Sequence, residues 1–297
     1  NIAVIGAGPA GLAFSVYAAQ RGHSVTILDK ASEIGGQFNY AKQVPGKEEF
    51  YETLRYFAKQ IELNNITVHL NSEQTKDSLL AQGYDEVVIA TGIKPRQLSI
   101  PGIESEKVLS YLNVLRDKMD VGQRVAIIGA GGIGFDVASF LAEPNSLTHK
   151  PDEWLKTWGV DKSYEAAGAL MPQVDDEKSP KEIYLIQRKT TKVGANLGKT
   201  TGWIHRQTLN KKGVKMIAGA SYKQVTDNGL VIEVDGKEQE LCVDHIIVCA
   251  GQEPERTLYD ELTTAGQSTH LIGGAFVAAE LDAKRAIRQG AELAAQI

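Results

Sequence analysis

Two glycine-rich motifs in this chain have the residue types and spacing to bind the pyrophosphate of a dinucleotide. The first motif, GAGPAG, follows the apolar run that starts at Ile2, and the second, GAGGIG, follows the apolar run that starts at Val125. A strand, a glycine turn and a helix start together bring backbone N–H groups and the positive end of the helix to a phosphate. The residues expected to form these turns are Gly6, Gly8, Pro9 and Gly11 in the first motif, and Gly129, Gly131 and Gly134 in the second.

The strands that follow the two motifs end in opposite charges. Asp29 ends the strand after the first motif, whereas Arg188 and Lys189 end the strand after the second. A carboxylate at this place binds ribose hydroxyls, and a basic pair suits a 2′-phosphate. We therefore expect FAD on the first motif and NADPH on the second. The alternatives are a solvated charge at Asp29 and a surface basic group that also includes Lys192.

The elements that must position these residues alternate between strands and helices. Apolar periodicity predicts strands at 2–5, 24–28, 66–70, 86–90, 125–128, 183–186, 245–249 and 269–272, and helices at about 9–21, 48–61 and 281–296. Residues 94–102 have the composition of a turn-rich linker.

This order predicts an α/β fold class with two Rossmann-like dinucleotide-binding domains, the NADP domain inserted in the FAD domain. The FAD-binding domain is expected at 1–120 and 252–297, and the NADP-binding domain at 121–251. Both halves carry a small-residue motif after a strand, with Ala90, Thr91 and Gly92 in the first half and Gly251 in the second. These residues are further candidates for cofactor contact, because ligands bind at the carboxyl ends of parallel strands.

Flexible backbone near the predicted flavin site adds three candidates. Gly36 and Gln37 follow the Asp29 strand, and Gly274 precedes the terminal helix. That helix could direct its positive end at the flavin, while Glu280 and Asp282 suit the N-terminal turn of a helix.

Three polar residues leave their role open. Lys47 could reach a phosphate or face solvent, and His205 and Arg206 could close over NADPH or lie on a helix surface.

The remaining chemistry-bearing features predict no catalytic side chain and no metal site. Cys242 and Cys249 lie on one predicted strand and are expected to be buried packing residues, and no CxxC motif is present. Hydride transfer between stacked rings needs positioning rather than a protein acid or base. The irregular insertion at about 143–182, which contains Trp154 and Trp158, is expected to face a partner or to pack on its own domain.

Composition restricts the class of protein. The 297 residues are 42% hydrophobic and 23% charged, with a formal net charge of −5, which disfavours nucleic acid as a partner. No apolar run approaches the roughly 20 residues that cross a bilayer. Two cysteines do not suit a disulfide scaffold, so we expect a cytoplasmic location. Because Asn1 immediately precedes a predicted strand, we expect the chain to be a piece of a longer polypeptide.

Five stretches of the sequence resemble one known family: NIAVIGAGPAGLAF, EIGGQFNYAKQVPGKEEFYETLRY, VAIIGAGGIGFDVA, LIQRK and LGKTTGWIHR. They are similar to bacterial NADPH-dependent 2,4-dienoyl-CoA reductases, which belong to the trimethylamine dehydrogenase-like iron–sulfur flavoproteins. In that family, an N-terminal β/α barrel carries FMN, a 4Fe–4S cluster and the dienoyl-CoA site. The C-terminal part, which this chain resembles from Asn1 to Ile297, binds FAD and NADPH.

The resemblance implies a set of contacts and a route for electrons. Ala10, Asp29, Gln37 and Lys47 match FAD-contacting positions, Gln74 matches a place where backbone meets adenine, and Arg188 and Lys189 match the NADP-phosphate pair. NADPH would reduce FAD, and electrons would continue through the cluster and FMN of the barrel, which this chain lacks, to the dienoyl thioester in unsaturated fatty-acid β-oxidation. Two alternatives are a free-standing NADPH-dependent flavin or ferredoxin-type reductase and an NADP(H)-sensing binding module.

Overall fold

A computed structural model of the chain describes residues 1–172, 174, 177–278 and 282–297. The strands are β1 (Ile2–Ile5), β2 (Val25–Leu28), β3 (Thr67–His69), β4 (Glu86–Ile89), β5 (Ile93–Pro95), β6 (Val108–Ser110), β7 (Arg124–Ile128), β8 (Glu182–Ile186), β9 (Lys215–Ile217), β10 (Ser221–Val225), β11 (Gly229–Val234), β12 (Lys237–Cys242), β13 (His245–Val248), β14 (Gln252–Pro254) and β15 (Thr269–Leu271). The α-helices are α1 (Pro9–Gln20), α2 (Phe38–Ala41), α3 (Phe50–Leu63), α4 (Lys76–Gln82), α5 (Tyr111–Leu115), α6 (Gly132–Ala142), α7 (Pro151–Thr157), α8 (Gly202–Lys211), α9 (Thr257–Thr264) and α10 (Ala283–Gln296).

The first compact unit comprises residues 1–42, 49–96 and 252–297. Its parallel sheet has the strand order β15-β4-β1-β2-β3. Ile2 and Val4 pack in one apolar cluster with residues of α1 and α10, whereas Ala3 and Ile5 pack in a second cluster with residues of α4 and α9. Because helices cover both faces of the sheet, β1 is a continuous apolar run rather than an alternating one.

The second compact unit comprises residues 43–48 and 97–251. Its parallel sheet has the order β6-β13-β7-β8-β9, and a separate antiparallel sheet has the order β10-β11-β12. Leu230 and Ile232 of β11 share an apolar cluster with Ala126 and Ile128 of β7. The antiparallel sheet therefore packs on the parallel one.

The two parallel sheets repeat one arrangement. In each, the strand before the glycine motif is central: β1 pairs with β2 and β4, and β7 pairs with β8 and β13. Parallel strands joined through helices give this order by right-handed crossovers. The predicted α/β fold class is confirmed.

The compact units divide the chain differently from the sequence-based boundaries. The first predicted boundary lies at 120, whereas the second unit already begins at residue 97. The reason is that β6 pairs with β13 and so belongs to the sheet of the second unit. Residues 43–48, which we call the strap, also join the second unit. In the first unit, part of the predicted linker forms β5, which pairs with β14 in an antiparallel ribbon.

The terminal helix and the insertion complete the fold. α10 begins at Ala283, where the Asp282 side chain caps it by accepting a hydrogen bond from the Lys284 N–H at 2.9 Å; Glu280 lies outside the described residues. In the insertion, Pro151 occupies the first turn of α7, as its fixed φ favours. The ring centroids of Trp158 and Trp203 on α8 are 6.4 Å apart, so the described part of the insertion packs on its own unit.

Candidate functional site

The first glycine motif forms a tight turn after β1. Gly6 has φ +112°, and an added Cβ would lie 2.3 Å from the Ala90 carbonyl oxygen. A Cβ on Gly11 would lie 2.0 Å from the Gly6 carbonyl oxygen. By contrast, a Cβ on Gly8 would have no atom within 4 Å. The protein itself therefore requires Gly6 and Gly11, whereas Gly8 borders open space at the start of α1.

The second motif repeats this geometry after β7. Gly129 has φ +105°, and its added Cβ would lie 2.6 Å from the Cys249 carbonyl oxygen. A Cβ on Gly134 would lie 1.8 Å from the Gly129 carbonyl oxygen, while Gly131 has no atom within 4 Å of an added Cβ. Both motifs thus leave space at their middle glycine, where a pyrophosphate would approach the helix N-terminus.

Asp29 connects the end of β2 to the first motif. Its Oδ2 accepts a hydrogen bond from the Ala7 N–H at 2.6 Å, and its Oδ1 accepts one from the Ala31 N–H at 2.7 Å. Each carboxylate oxygen can accept a further hydrogen bond. The half-buried carboxylate is therefore fixed in place and still able to bind ribose hydroxyls.

The loop after Asp29 packs on the same turn. The Gly35 N–H donates to the Ala7 carbonyl oxygen at 2.7 Å, and an added Cβ on Gly36 would lie 3.0 Å from the Gly8 Cα. Gln37 follows, half-buried, directly before α2. The fold thus brings Gly36 and Gln37 to the first glycine turn, next to Gly8, Pro9 and Ala10 at the start of α1.

The strand-end motif after β4 meets the turn before α10. The Thr91 hydroxyl donates to the Glu255 carbonyl oxygen at 2.7 Å, and an added Cβ on Gly274 would lie 3.3 Å from the Gly92 Cα. Gly251 lies three residues after the end of β13, the same distance at which Gly92 follows β4, whereas Ala90 follows β4 directly. Ala90, Gly92 and Gly274 therefore share one edge of the first sheet.

Gln74 is held by its side chain rather than left free. Its Nε2 donates to the Ser72 hydroxyl at 2.8 Å, and its Oε1 accepts from the Ser78 hydroxyl at 2.9 Å. These bonds fix the backbone between β3 and α4. A contact between that backbone and an adenine stays a prediction.

Arg188 and Lys189 lie in a turn after β8 whose backbone is well supported. The Gln187 side-chain amide donates to the carbonyl oxygens of Lys189 and Thr191 at 2.9 and 2.6 Å. Both basic side chains are exposed, and neither has an ion-pair partner in the part of the chain that the structure describes. Burial raises the pKa of Tyr222 to about 12, and the Arg188 charge opposes that rise. The turn thus presents two available cations.

Lys47 lies in the strap and forms an ion pair that the sequence did not reveal. Its Nζ is 2.6 and 2.8 Å from the two carboxylate oxygens of Asp136 on α6. Its contact with FAD stays a prediction from the resemblance. Asp136 stands two residues after Gly134, and this acidic position in the motif is the signal that could have found it.

His205 and Arg206 lie on the helix α8, as expected from the second of the two placements that the sequence left open. Desolvation and then the Lys47 charge lower the pKa of His205, although the residue keeps an exposed surface. Arg206 donates to the Gly194 carbonyl oxygen at 2.9 Å. This bond ties α8 to the loop that follows the basic turn.

The expectation that both cysteines are buried on one strand is wrong. Cys242 ends β12 and is exposed, whereas Cys249 follows β13 and is partly buried. The turn between β12 and β13 separates them, since Val243 and Asp244 belong to neither strand. Burial raises the pKa of the Cys249 thiol, so this thiol stays protonated.

Comparisons with known proteins identify the family. The model of the pyridine nucleotide-disulphide oxidoreductase family matches residues 1–282. The chain belongs to this family. The chain shares the fold of thioredoxin reductase from T. acidophilum, with a TM-score of 0.68 and 19% identity. The match covers 99% of this chain and 96% of that one. As a pyridine nucleotide-disulphide oxidoreductase, the protein is an oxidoreductase that uses FAD and a pyridine nucleotide.

Two further relatives are longer than this chain. The metal reductase of Desulforamulus reducens is 28% identical over 289 residues, which are 93% of this chain and 41% of that protein. A structure of 2-naphthoyl-CoA reductase in complex with 2-naphthoyl-CoA has a TM-score of 0.83 and 26% identity, covering all of this chain and 39% of that one. The chain therefore spans about two fifths of the length of these two relatives.

The described residues lack two kinds of feature. No helix among the described residues is long and apolar enough to cross a membrane. No group of three or more His, Cys, Asp or Glu side chains there could hold a metal ion.

Proposed function

We propose that the chain is the NADPH-to-FAD module of a reductase of the 2,4-dienoyl-CoA reductase type. The observation that carries this proposal is the contrast between the two strand ends. The fixed carboxylate of Asp29 follows β2, whereas the exposed cations of Arg188 and Lys189 follow β8. A carboxylate repels a 2′-phosphate, and a basic pair attracts one.

The first unit suits FAD. The open space at Gly8 and the close backbone of Gly36 leave a cradle that an added Cβ would fill. Gly8, Asp29, Gly36 and Gln37 would hold the cofactor, with Gly274 at the same sheet edge as Gly92. When bound, FAD accepts a hydride and can release electrons one at a time.

The second unit suits NADPH. The open space at Gly131 lies at the N-terminus of α6, where backbone N–H groups and the helix dipole favour a pyrophosphate. Arg188 can bind a phosphate in bidentate fashion, and Lys189 adds a second positive charge. Because the turn backbone is already hydrogen-bonded through Gln187, little additional ordering is needed for binding.

The acceptor lies outside this chain in our proposal. Electrons would pass to a barrel domain with an iron–sulfur cluster and FMN, in the cytoplasm and without a nucleic-acid or membrane partner. One observation supports a separate acceptor domain with a thioester substrate: this chain spans only 39% of a structural relative named 2-naphthoyl-CoA reductase.

The test is an anaerobic titration of the FAD-loaded protein with NADPH and with NADH. We expect NADPH to bleach the flavin at a much lower concentration than NADH. The double variant Arg188→Ala, Lys189→Ala removes two charged contacts with the 2′-phosphate. At about 1.5–3 kcal/mol each, it should lose about 3–6 kcal/mol of NADPH binding, or roughly 150- to 20,000-fold in Kd. NADH binding should change little.

Lys237→Ala is the matched control, because Lys237 is an exposed cation on β12 of the same unit. Equal affinity of the unaltered protein for NADPH and NADH would refute the 2′-phosphate assignment. Absence of bleaching by either nucleotide would favour a sensing module. Dienoyl-CoA reduction by this chain alone would exclude the separate acceptor domain.

A further inference from the structure

A cavity lies in the compact unit that holds the second glycine motif. It has a volume of about 410 Å³ and is bounded by strap residues, the C-terminal part of α6, the insertion and α8. We call it the insertion pocket. Its size falls in the range of small-molecule sites.

Tryptophan side chains form one wall of the insertion pocket. Trp154 and Trp158 both line it, and their ring centroids are 6.0 Å apart with an interplanar angle of 42°. Lys211 lies with its Nζ 5.4 Å from the Trp158 centroid and donates to the Thr157 carbonyl oxygen at 3.2 Å. Trp154 remains 47% exposed, so its ring stands at the mouth of the pocket.

The charged groups of the pocket are unequally engaged. The Lys212 side chain is 11% exposed, and its Nζ is 3.0 Å from a carboxylate oxygen of Glu177. Glu143 also lines the pocket. Its backbone N–H donates to the Ser139 carbonyl oxygen at 2.9 Å, but its carboxylate forms no hydrogen bond or ion pair with any other described residue. Burial raises the pKa of Glu143, while the Lys212 charge lowers it and the Glu177 charge raises it. The Lys211 ammonium also lines the pocket, so the two lysines of the lining balance its two glutamates. The Glu143 carboxylate is the acidic group that remains available to a ligand.

We propose that the insertion pocket binds an organic ammonium ion attached to a flat aromatic group. The ammonium would donate to the Glu143 carboxylate, and the aromatic group would pack against Trp154 and Trp158. Indole faces attract cations, and a partly desolvated carboxylate forms strong hydrogen bonds with them.

The insertion pocket is distinct from the nucleotide site. Glu143 directly follows the C-terminus of α6, whereas Gly131 directly precedes its N-terminus. An 11-residue helix separates its two ends by about 16 Å. Both sites can therefore be tested independently, and the ammonium proposal does not depend on the proposed function.

Tryptophan fluorescence gives a direct test. The sequence has three tryptophans: two line the pocket, and the third, Trp203, packs against Trp158. Titration of the purified chain with phenethylammonium chloride should give a saturable change at constant ionic strength. Phenylacetate and the uncharged 2-phenylethanol should bind at least about tenfold more weakly, as expected for one charge-assisted contact.

Variants separate the carboxylate from the cavity. Glu143→Gln should weaken phenethylammonium binding at least about tenfold, whereas Glu165→Gln, an exposed carboxylate of the insertion, should leave it unchanged. Thr208→Met keeps the Glu143 carboxylate but fills the pocket and should abolish binding. Circular dichroism checks that each variant is folded.

Three results would overturn the proposal. One is the absence of a saturable signal in the unaltered protein. Another is equal affinity for phenethylammonium and 2-phenylethanol, a comparison that needs no variant. The last is full affinity in either folded Glu143→Gln or folded Thr208→Met.

Discussion

Replacing Gly131 with alanine should abolish tight nucleotide binding without destabilising the fold. Gly131 has φ −84° and ψ −169°, which is extended backbone that alanine adopts readily. An added Cβ would meet no protein atom within 4 Å. The protein therefore tolerates a methyl group at this position, and only a bound pyrophosphate would collide with it.

The effect of Gly131→Ala on stability should be much smaller than its effect on nucleotide binding. Loss of a glycine N-cap costs about 0.5–1 kcal/mol, and the lower backbone entropy of unfolded alanine returns about 0.4–1 kcal/mol, so stability should change little. A methyl group that displaces the pyrophosphate from the turn should remove one or two charge-assisted hydrogen bonds. At about 1.5–3 kcal/mol each, this loss corresponds to roughly a 10- to 1,000-fold or greater rise in Kd.

The assay is calorimetric titration with NADP⁺, which binds without reducing the flavin. Thermal melting of the same samples measures stability. Gly132→Ala is the matched control, because its added Cβ also meets no atom within 4 Å. The equivalent position of the first motif is Pro9, which shows that the turn accepts a side chain there.

Two outcomes would refute this reasoning. If Gly131→Ala binds NADP⁺ as tightly as the unaltered protein, the pyrophosphate does not approach this turn. If Gly131→Ala melts far below Gly132→Ala, the open space at Gly131 is filled by protein in solution.

Three further perturbations test other parts of the molecule. Asp29→Asn should lower FAD affinity by about 1–3 kcal/mol, because ribose hydroxyls lose a charged acceptor, and the flavin content of purified protein measures this. Gly290→Ala should destabilise the first unit by about 1–3 kcal/mol in denaturant titrations, since its Cβ would lie 2.5 Å from the Ala10 carbonyl oxygen and 2.8 Å from the Phe14 nitrogen. Burial raises the pKa of Glu143 in the folded protein above its ordinary value of 4.5, so on raising the pH the unfolded chain loses this proton first. The free energy of unfolding should therefore fall as the pH rises from the unfolded to the folded pKa, and Glu143→Gln should lack this fall.

Control variants and contrary results distinguish these outcomes. Asp77→Asn, an exposed acid on α4, should keep its flavin, and a full flavin content in Asp29→Asn would contradict the ribose role. Arg288 is on α10 with a side chain 74% exposed, so Arg288→Ala should unfold at the same denaturant concentration as the unaltered protein, whereas Gly290→Ala should unfold at a lower one. Identical pH dependence in Glu143→Gln and the unaltered protein would show that Glu143 does not titrate abnormally.

Local sequence predicted the parts of the site that are contiguous in the chain. The glycine turns, the apolar strands β1 and β7 and the charged residues after β2 and β8 each depend on a few successive residues. The sequence missed β6 as a strand of the second sheet, because three residues between turns have no periodicity to reveal their partner. It also placed Cys242 and Cys249 on one strand, since the short turn after Cys242 lacks glycine and proline.

By itself, the sequence determined two dinucleotide motifs with opposite strand-end charges. Glycine, carboxylate and guanidinium chemistry depend on residue type and local backbone, which adjacent residues specify. Only the tertiary structure decided that Lys47 pairs with Asp136, 89 residues away, and that Trp154, Trp158 and Glu143 enclose a cavity with α8. Contacts of this kind arise when a whole unit packs, and no local pattern encodes the distance between residues that folding brings together.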